Sequence, residues 1–207
     1  MIDHGSDTSM TATHGAATAS EYPAEDRSIS LLRANFVMVV FALPAILLPG
    51  LVWYAVWGLD GIATLFRSSD TGIILLLALG VGVVVHEALH ALAWARAARL
   101  PLRAIRFGFD WKTITPYAHC TVPITARAYR IGAATPLLAI GVLPAIISLF
   151  NGDAALLAFS LFFIFAAGGD MLILWLIRDV HPDAFVEDHP TRAGCLVRMR
   201  ERSDGVS

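Results

Sequence analysis

Four long apolar runs restrict the fold of this chain more than any other feature of its sequence. They fall at 35–57, 72–95, 131–150 and 154–177. Each is close to the roughly 20 residues a helix needs to cross a hydrocarbon core about 30 Å thick. Of the 207 residues, 57% are hydrophobic and 15% charged, whereas an average soluble domain carries about a quarter charged residues. Too little polar surface remains to wrap four such helices in water. The expected fold is mainly α, a polytopic membrane protein of about four transmembrane helices. Pro44 and Pro49 are expected to kink the first span, and "NGD" at 151–153 to turn tightly between the last two.

Basic residues orient the spans, because Lys and Arg collect on the cytoplasmic side. Arg96, Arg99, Arg103, Arg106, Lys112, Arg127 and Arg130 lie around the connection between the second and third spans, and Arg178, Arg192, Arg198, Arg200 and Arg202 follow the fourth. The other two connections hold only Arg67. Both termini and the middle loop are therefore expected in the cytoplasm, with the chain a multi-pass protein of the cell membrane. Within that loop Ile105, Phe107, Phe109 and Trp111 alternate with Arg106, Gly108 and Asp110. That period of two predicts a cytoplasmic β-hairpin between helices 2 and 3, turning at "FDWKT" and lying at the membrane surface.

The ends read differently. Residues 1–30 are small, polar and acidic, with Asp3, Asp7, Glu21, Glu25 and Asp26 against Arg27. They are expected to form a disordered tail, since so little apolar surface cannot offset the entropy of ordering. Residues 31–178 form the expected membrane domain, and 179–207 a polar tail whose His181 and His189 are solvated, as are His4 and His14. The net charge of −2 suggests no nucleic-acid partner, and Cys120 and Cys195 are too few for a disulfide framework. The implied surroundings are a lipid bilayer.

Inside the second span, "VVVHEALHALAWA" at 83–95 places His86, Glu87 and His90 in the pattern H-E-x-x-H. On a helix the two histidines share a face and can bind one metal ion, with Glu87 beside them to take a proton from bound water. Imidazole ligands and a position left open for water suit zinc. Ionisable groups at membrane depth are costly and mark function, which weighs against a merely structural histidine pair. Catalytic zinc normally has three protein ligands. The other spans hold one carboxylate, Asp170 in "FAAGGDMLILWLIRD". At 1.5 Å per residue, His86 and His90 lie about 15 and 9 Å in from Arg96, and Asp170 about 12 Å in from Arg178. Two parallel helices thus bring the three to one level, with Ala78, Gly82, Ala166 and Ala167 small enough for close packing. Gly168 and Gly169 are expected to loosen the helix before Asp170. His119 is the alternative third ligand, reaching from the loop, and Cys120 beside it an accessory group that could cap the metal. Thr135 and Pro136 are expected to shape the third span.

Together, "VVVHEALHALAWA", "FGFDWKTITPYAHCTVPIT" and "AAGGDMLIL" resemble the putative zincin peptidase family of small membrane proteins, over roughly 31–178. More distantly they are similar to site-2-type intramembrane metalloproteases, although "GGDM" stands where those enzymes carry N-P-D-G. The resemblance implies zinc held by His86, His90 and Asp170, Glu87 as the base, and a membrane protein or peptide as substrate. The expected function is zinc-dependent intramembrane peptide hydrolysis. The alternative is a non-catalytic membrane metal-binding protein, acting as a sensor or as an accessory subunit of a complex.

Overall fold

The computed structural model describes residues 23–111 and 115–199, and within them helices form where the apolar runs lie. Helix α1 (Leu31–Ala63) contains both Pro44 and Pro49, yet its non-helical dihedrals fall at Gly58 (φ 67°). Proline loses a hydrogen bond but its fixed φ is already helical, whereas a positive φ is readily reached only by glycine. Helix α2 (Ser69–Ala97) starts at Ser68, whose side chain accepts from the Asp70 N–H, and has Arg96 in its last turn. Both ends therefore oppose the helix dipole correctly. Helix α3 (Ala126–Asn151) contains a π-helical stretch, Leu137–Val142, directly after Pro136. The proline offers no N–H to the ladder, so Pro136 shapes the helix, while the Thr135 hydroxyl donates back to the Ile131 carbonyl at 2.6 Å.

The expected tight turn follows. Gly152 ends α3 with φ 71°, and Asp153 caps α4 (Ala154–Ala166) by accepting from the N–H groups of Ala155 and Leu156. Helix α4 passes into α5 (Gly168–Leu176) through a 40° bend at Ala167, next to the two glycines. Helices α1, α2 and α3 are long and apolar enough to cross a membrane, and α4 with α5 makes a fourth if the bent pair is one span. Only 11% of the most apolar stretch of α1 and of α2 is buried. Their apolar side chains therefore face outward, an arrangement costly in water and natural in lipid.

Strands occupy one end of the helices. β2 (Ile105–Asp110) and β3 (Thr115–Cys120) form the expected antiparallel hairpin, with Arg106 opposite His119 and Ile105 opposite Cys120. A second, four-stranded antiparallel sheet has the order β1-β6-β5-β4, from Glu25–Ile29, Ala193–Arg198, Phe185–Asp188 and Ile124–Thr125. This corrects the expected tails: Glu25–Ile29 is a strand paired along Ala193–Val197, and β5 and β6 come from the supposed polar C-terminal tail. The ladder satisfies the backbone of a segment whose side chains gave no apolar pattern. Arg27 adds ion pairs to Glu25 (2.6 Å) and Asp179 (3.0 Å). The expectations for residues 1–22 and 200–207 lie outside the described residues.

The largest core cluster lies at this same end. It joins Ala91, Trp94 and Ala95 of α2 with Ile105 and Cys120 of the hairpin, Tyr129 of α3, and Val186, Cys195 and Val197 of the sheet. Arg130 ties α3 to the turn that follows α5 by donating to the carbonyls of Ile177 and Val180.

Candidate metal centre

The buried face of α2 contains Gly82, His86, His90 and Trp94 at steps of four, so packing this stripe inward carries both histidines with it. The Phe163 ring of α4 lies where a Cβ on Gly82 would be only 2.5 Å from it, and is stacked on the His86 imidazole at 6.2 Å. Trp94 stacks on His90 at 5.1 Å. From the other side, the bend at Ala167 turns the first residues of α5 inward and sets Asp170 against the histidines.

The three side chains form a compact triangle in which each Asp170 oxygen faces one histidine. His86 Nε2 and His90 Nε2 are 3.2 Å apart, His86 Nε2 and Asp170 Oδ2 3.2 Å, and His90 Nε2 and Asp170 Oδ1 3.2 Å. Tetrahedral zinc with ligand bonds of about 2.0–2.1 Å sets neighbouring donors about 3.3 Å apart. The two histidine nitrogens, and each histidine with its nearer Asp170 oxygen, meet that spacing, and with one ligand atom taken from each residue all three donors lie within 4.8 Å of one another. Asp170 Oδ2 is buried and makes no hydrogen bond among the described residues despite its nearness to His86, as a carboxylate aimed at a common centre would. His90 Nδ1–H donates to the Gly132 carbonyl at 3.0 Å, which leaves Nε2 with its lone pair toward the other two groups. His86 Nδ1 is buried with no hydrogen-bond partner among the described residues.

A cavity of about 400 Å³ opens onto this triangle, lined also by Glu87 and by Tyr117, Ala118 and His119 of the hairpin. Glu87 is half-buried and its carboxylate faces the backbone of Ala118. His119 lies in the same cavity but outside the triangle: its Nδ1–H donates to Asp188 Oδ2, and the Tyr129 hydroxyl donates to Asp188 Oδ1. Its hydrogen bond to the Asp188 carboxylate raises the His119 pKa above its usual value, against burial and the nearby Arg106, which lower it.

Cys120 points the other way. It is buried in the core, absent from the cavity wall, and burial pushes its thiol up to about 12. Alternation along β3 explains this, since His119 and Cys120 occupy opposite faces. Cys120 is thus corrected from an accessory group to a core residue, and both cysteines are free. His189, expected to be solvated, is half-buried and accepts from the N–H groups of Thr191 and Arg192. Four contributors carried no signal as site residues in the sequence. Tyr129, Asp188, Trp94 and Gly132 belong to no spaced motif, and Asp188 sits in a segment expected to be a tail.

A set of membrane-length apolar helices carrying H-E-x-x-H, with a third, carboxylate group at its broken last helix, is the arrangement that a zincin-type site uses. The chain belongs to the family described as putative zincin peptidase, which matches residues 79–185. That match runs from α2 through the hairpin and α3–α5 to the start of β5. No curated protein and no solved structure matches the chain.

Proposed function

We propose that the protein is a zinc-dependent intramembrane peptidase of site-2-like type, hydrolysing peptide bonds of membrane-associated proteins or peptides. The observation that carries this reading is the 3.2 Å triangle of His86, His90 and Asp170 opening on the cavity that holds Glu87. Held by these three groups, zinc would polarise a peptide carbonyl and acidify water. Glu87 accepts the proton from the attacking water on its carboxylate and gives it to the leaving nitrogen. The Gly132 carbonyl keeps His90 in the tautomer that presents Nε2. The walls around His86 and His90, from Phe163 and Trp94, hold both rings at fixed angles.

Membrane-length helices with exposed apolar faces support a site entered from within or beside the bilayer. The clustering of Arg and Lys on the hairpin side supports placing that side, and both termini, in the cytoplasm. A transmembrane substrate would have to unwind before its backbone could be attacked, because helical amides are internally bonded in lipid. The hairpin lies next to the cavity and supplies a strand along which an extended segment could add.

Metal storage or sensing alone has no use for a carboxylate at position 87. The decisive experiment is Glu87→Gln at matched expression and zinc content. We expect retained zinc and a fall in cleavage of about 10²–10⁴-fold, with an uncleaved membrane substrate accumulating. A membrane proteome and phenotype unchanged from the wild type, in cells where deletion has a clear effect, would instead favour the non-catalytic metal-binding alternative.

A further inference from the structure

The cavity has a second polar cluster that the metal triangle does not use. His119 on β3, Asp188 at the end of β5 and Tyr129 on α3 meet there from three separate elements. Asp188 is held at both oxygens, one by His119 and one by Tyr129, and its backbone is pinned by pairing with Cys195 of β6. This is more fixation than a surface carboxylate needs. The hydrogen bond at Nδ1 leaves Nε2 as the unbonded end of the His119 ring among the described residues. The adjacent residue, Ala118, is the one Glu87 faces. The charged groups around the ring are Asp188 from β5 and Arg106 from β2, with Glu87 of α2 in the same cavity.

We propose that His119 is a second catalytic residue of this site, donating Nε2–H to the oxygen of the peptide carbonyl as negative charge develops there, with Asp188 and Tyr129 as positioning residues. The inference rests on the peptidase reading. As the C–O bond from water forms, water's proton passes to Glu87 and the carbonyl π pair moves onto oxygen. His119 hydrogen-bonds that oxygen. When the pair returns, the C–N bond breaks and the proton on Glu87 goes to the leaving nitrogen. His119 keeps its own proton throughout. The carboxylate of Asp188 fixes the ring with Nδ1 protonated and favours the form that also carries a proton at Nε2.

A purely structural reading makes His119 a tether between hairpin and sheet, and two conservative variants separate the readings. In His119→Asn the amide nitrogen replaces Nδ1 and can still reach Asp188, but no donor remains at the Nε2 position. In His119→Gln the amide nitrogen reaches the Nε2 position and the Asp188 contact is lost. With zinc-loaded full-length protein and a quenched fluorogenic peptide mixture, we expect His119→Ala and His119→Asn to lose about 10²–10³-fold in kcat, the effect of removing one oxyanion donor. KM should change little, and His119→Gln should regain part of the loss. A Leu-Leu phosphinic pseudodipeptide, which carries tetrahedral anionic oxygens, should bind His119→Asn more weakly than wild type at equal zinc content. Rescue by Asn rather than Gln, or wild-type kcat and phosphinate affinity in both, would overturn the role of His119 while Glu87→Gln still abolished cleavage. A zinc-loaded wild type that neither cleaves nor binds the phosphinate would overturn the peptidase reading as well.

Discussion

Adding a single methyl group at Gly132 should damage the candidate metal centre without touching His86, His90 or Asp170. A Cβ there would lie 2.0 Å from Trp94 Nε1, 2.1 Å from Cδ1 and 2.7 Å from Cε2. Ordinary contact begins near 3.4 Å, so the indole must retreat by about 1.4 Å, the difference between 3.4 and 2.0. These atoms belong to the body of a ring that is 5% exposed, and no flexible tip is available to swing away. If Trp94 moves, its hydrogen bond to the Tyr129 carbonyl (3.2 Å) and its stacking on His90 are lost. If α3 moves instead, the Gly132 carbonyl leaves His90 Nδ1. Overpacking costs about 1–3 kcal/mol and a lost hydrogen bond about 0.5–1.5 kcal/mol. Disturbing the group that orients a ligand typically weakens metal binding about 10–100-fold. The assay is zinc competition against a chromophoric chelator, with thermal melting in detergent. Gly80→Ala is the control: on α2 it meets nothing within 4 Å and should be neutral or slightly stabilising. A Gly132→Ala protein that melts with Gly80→Ala and holds zinc as tightly as wild type would refute the coupling of Trp94 and Gly132 to His90.

The wild type should bind about one zinc per chain, as one three-ligand site requires, and Asp170→Ala should lose it. Undiminished zinc in that variant, by elemental analysis, would move the third ligand elsewhere in the cavity, with His119 the first candidate. Because both native cysteines are buried, topology is best read from Ser68→Cys and Met199→Cys. An impermeant maleimide on intact cells should label position 68 and spare 199, and the reverse pattern would invert the orientation. For pH, the His119 pKa is raised above 6.5 by Asp188. Its contribution to stability is fully present below 6.5 and is lost as pH rises through the folded value. The margin of wild type over His119→Asn in melting temperature should therefore shrink with rising pH, and a margin that grew would contradict the pairing.

The helices and the hairpin were legible because each has a period that one chain segment imposes by itself. Length and apolarity located the helices, and the alternation from Ile105 to Trp111 located the hairpin. The grouping of His86, His90 and Asp170 was legible for a different reason. Intramembrane ionisable residues are so scarce that few partners compete, and the depth of each could be counted from its flanking arginine. The four-stranded sheet was not legible. Its β1 reads Glu-Asp-Arg-Ser-Ile, with no apolar face to signal a strand, and it is held by a ladder to residues more than 160 positions away. Cys120 was placed beside His119 by sequence distance alone, and the alternation of β3 sends it to the other side.

That sheet also bears on where the chemistry can sit. Lipid-facing helices have little water-driven burial to hold polar side chains in place, because hydrocarbon solvates their apolar faces as well as a neighbouring helix would. Here the one large core cluster joins the ends of α2 and α3 to the hairpin and the sheet. His90 stacks on a member of that cluster, Trp94, and bonds to Gly132 one turn beyond another, Tyr129. Asp188 reaches the cavity only because β5 is fixed between β4 and β6. The cavity thus borders both kinds of packing, with its candidate ligands on membrane-length helices and its supporting contacts in the core that joins helix ends to sheet. Removing the β1 strand, at the edge of that sheet and far from any ligand in sequence, would loosen the platform beneath Asp188 while leaving the helices that carry His86, His90 and Asp170 intact.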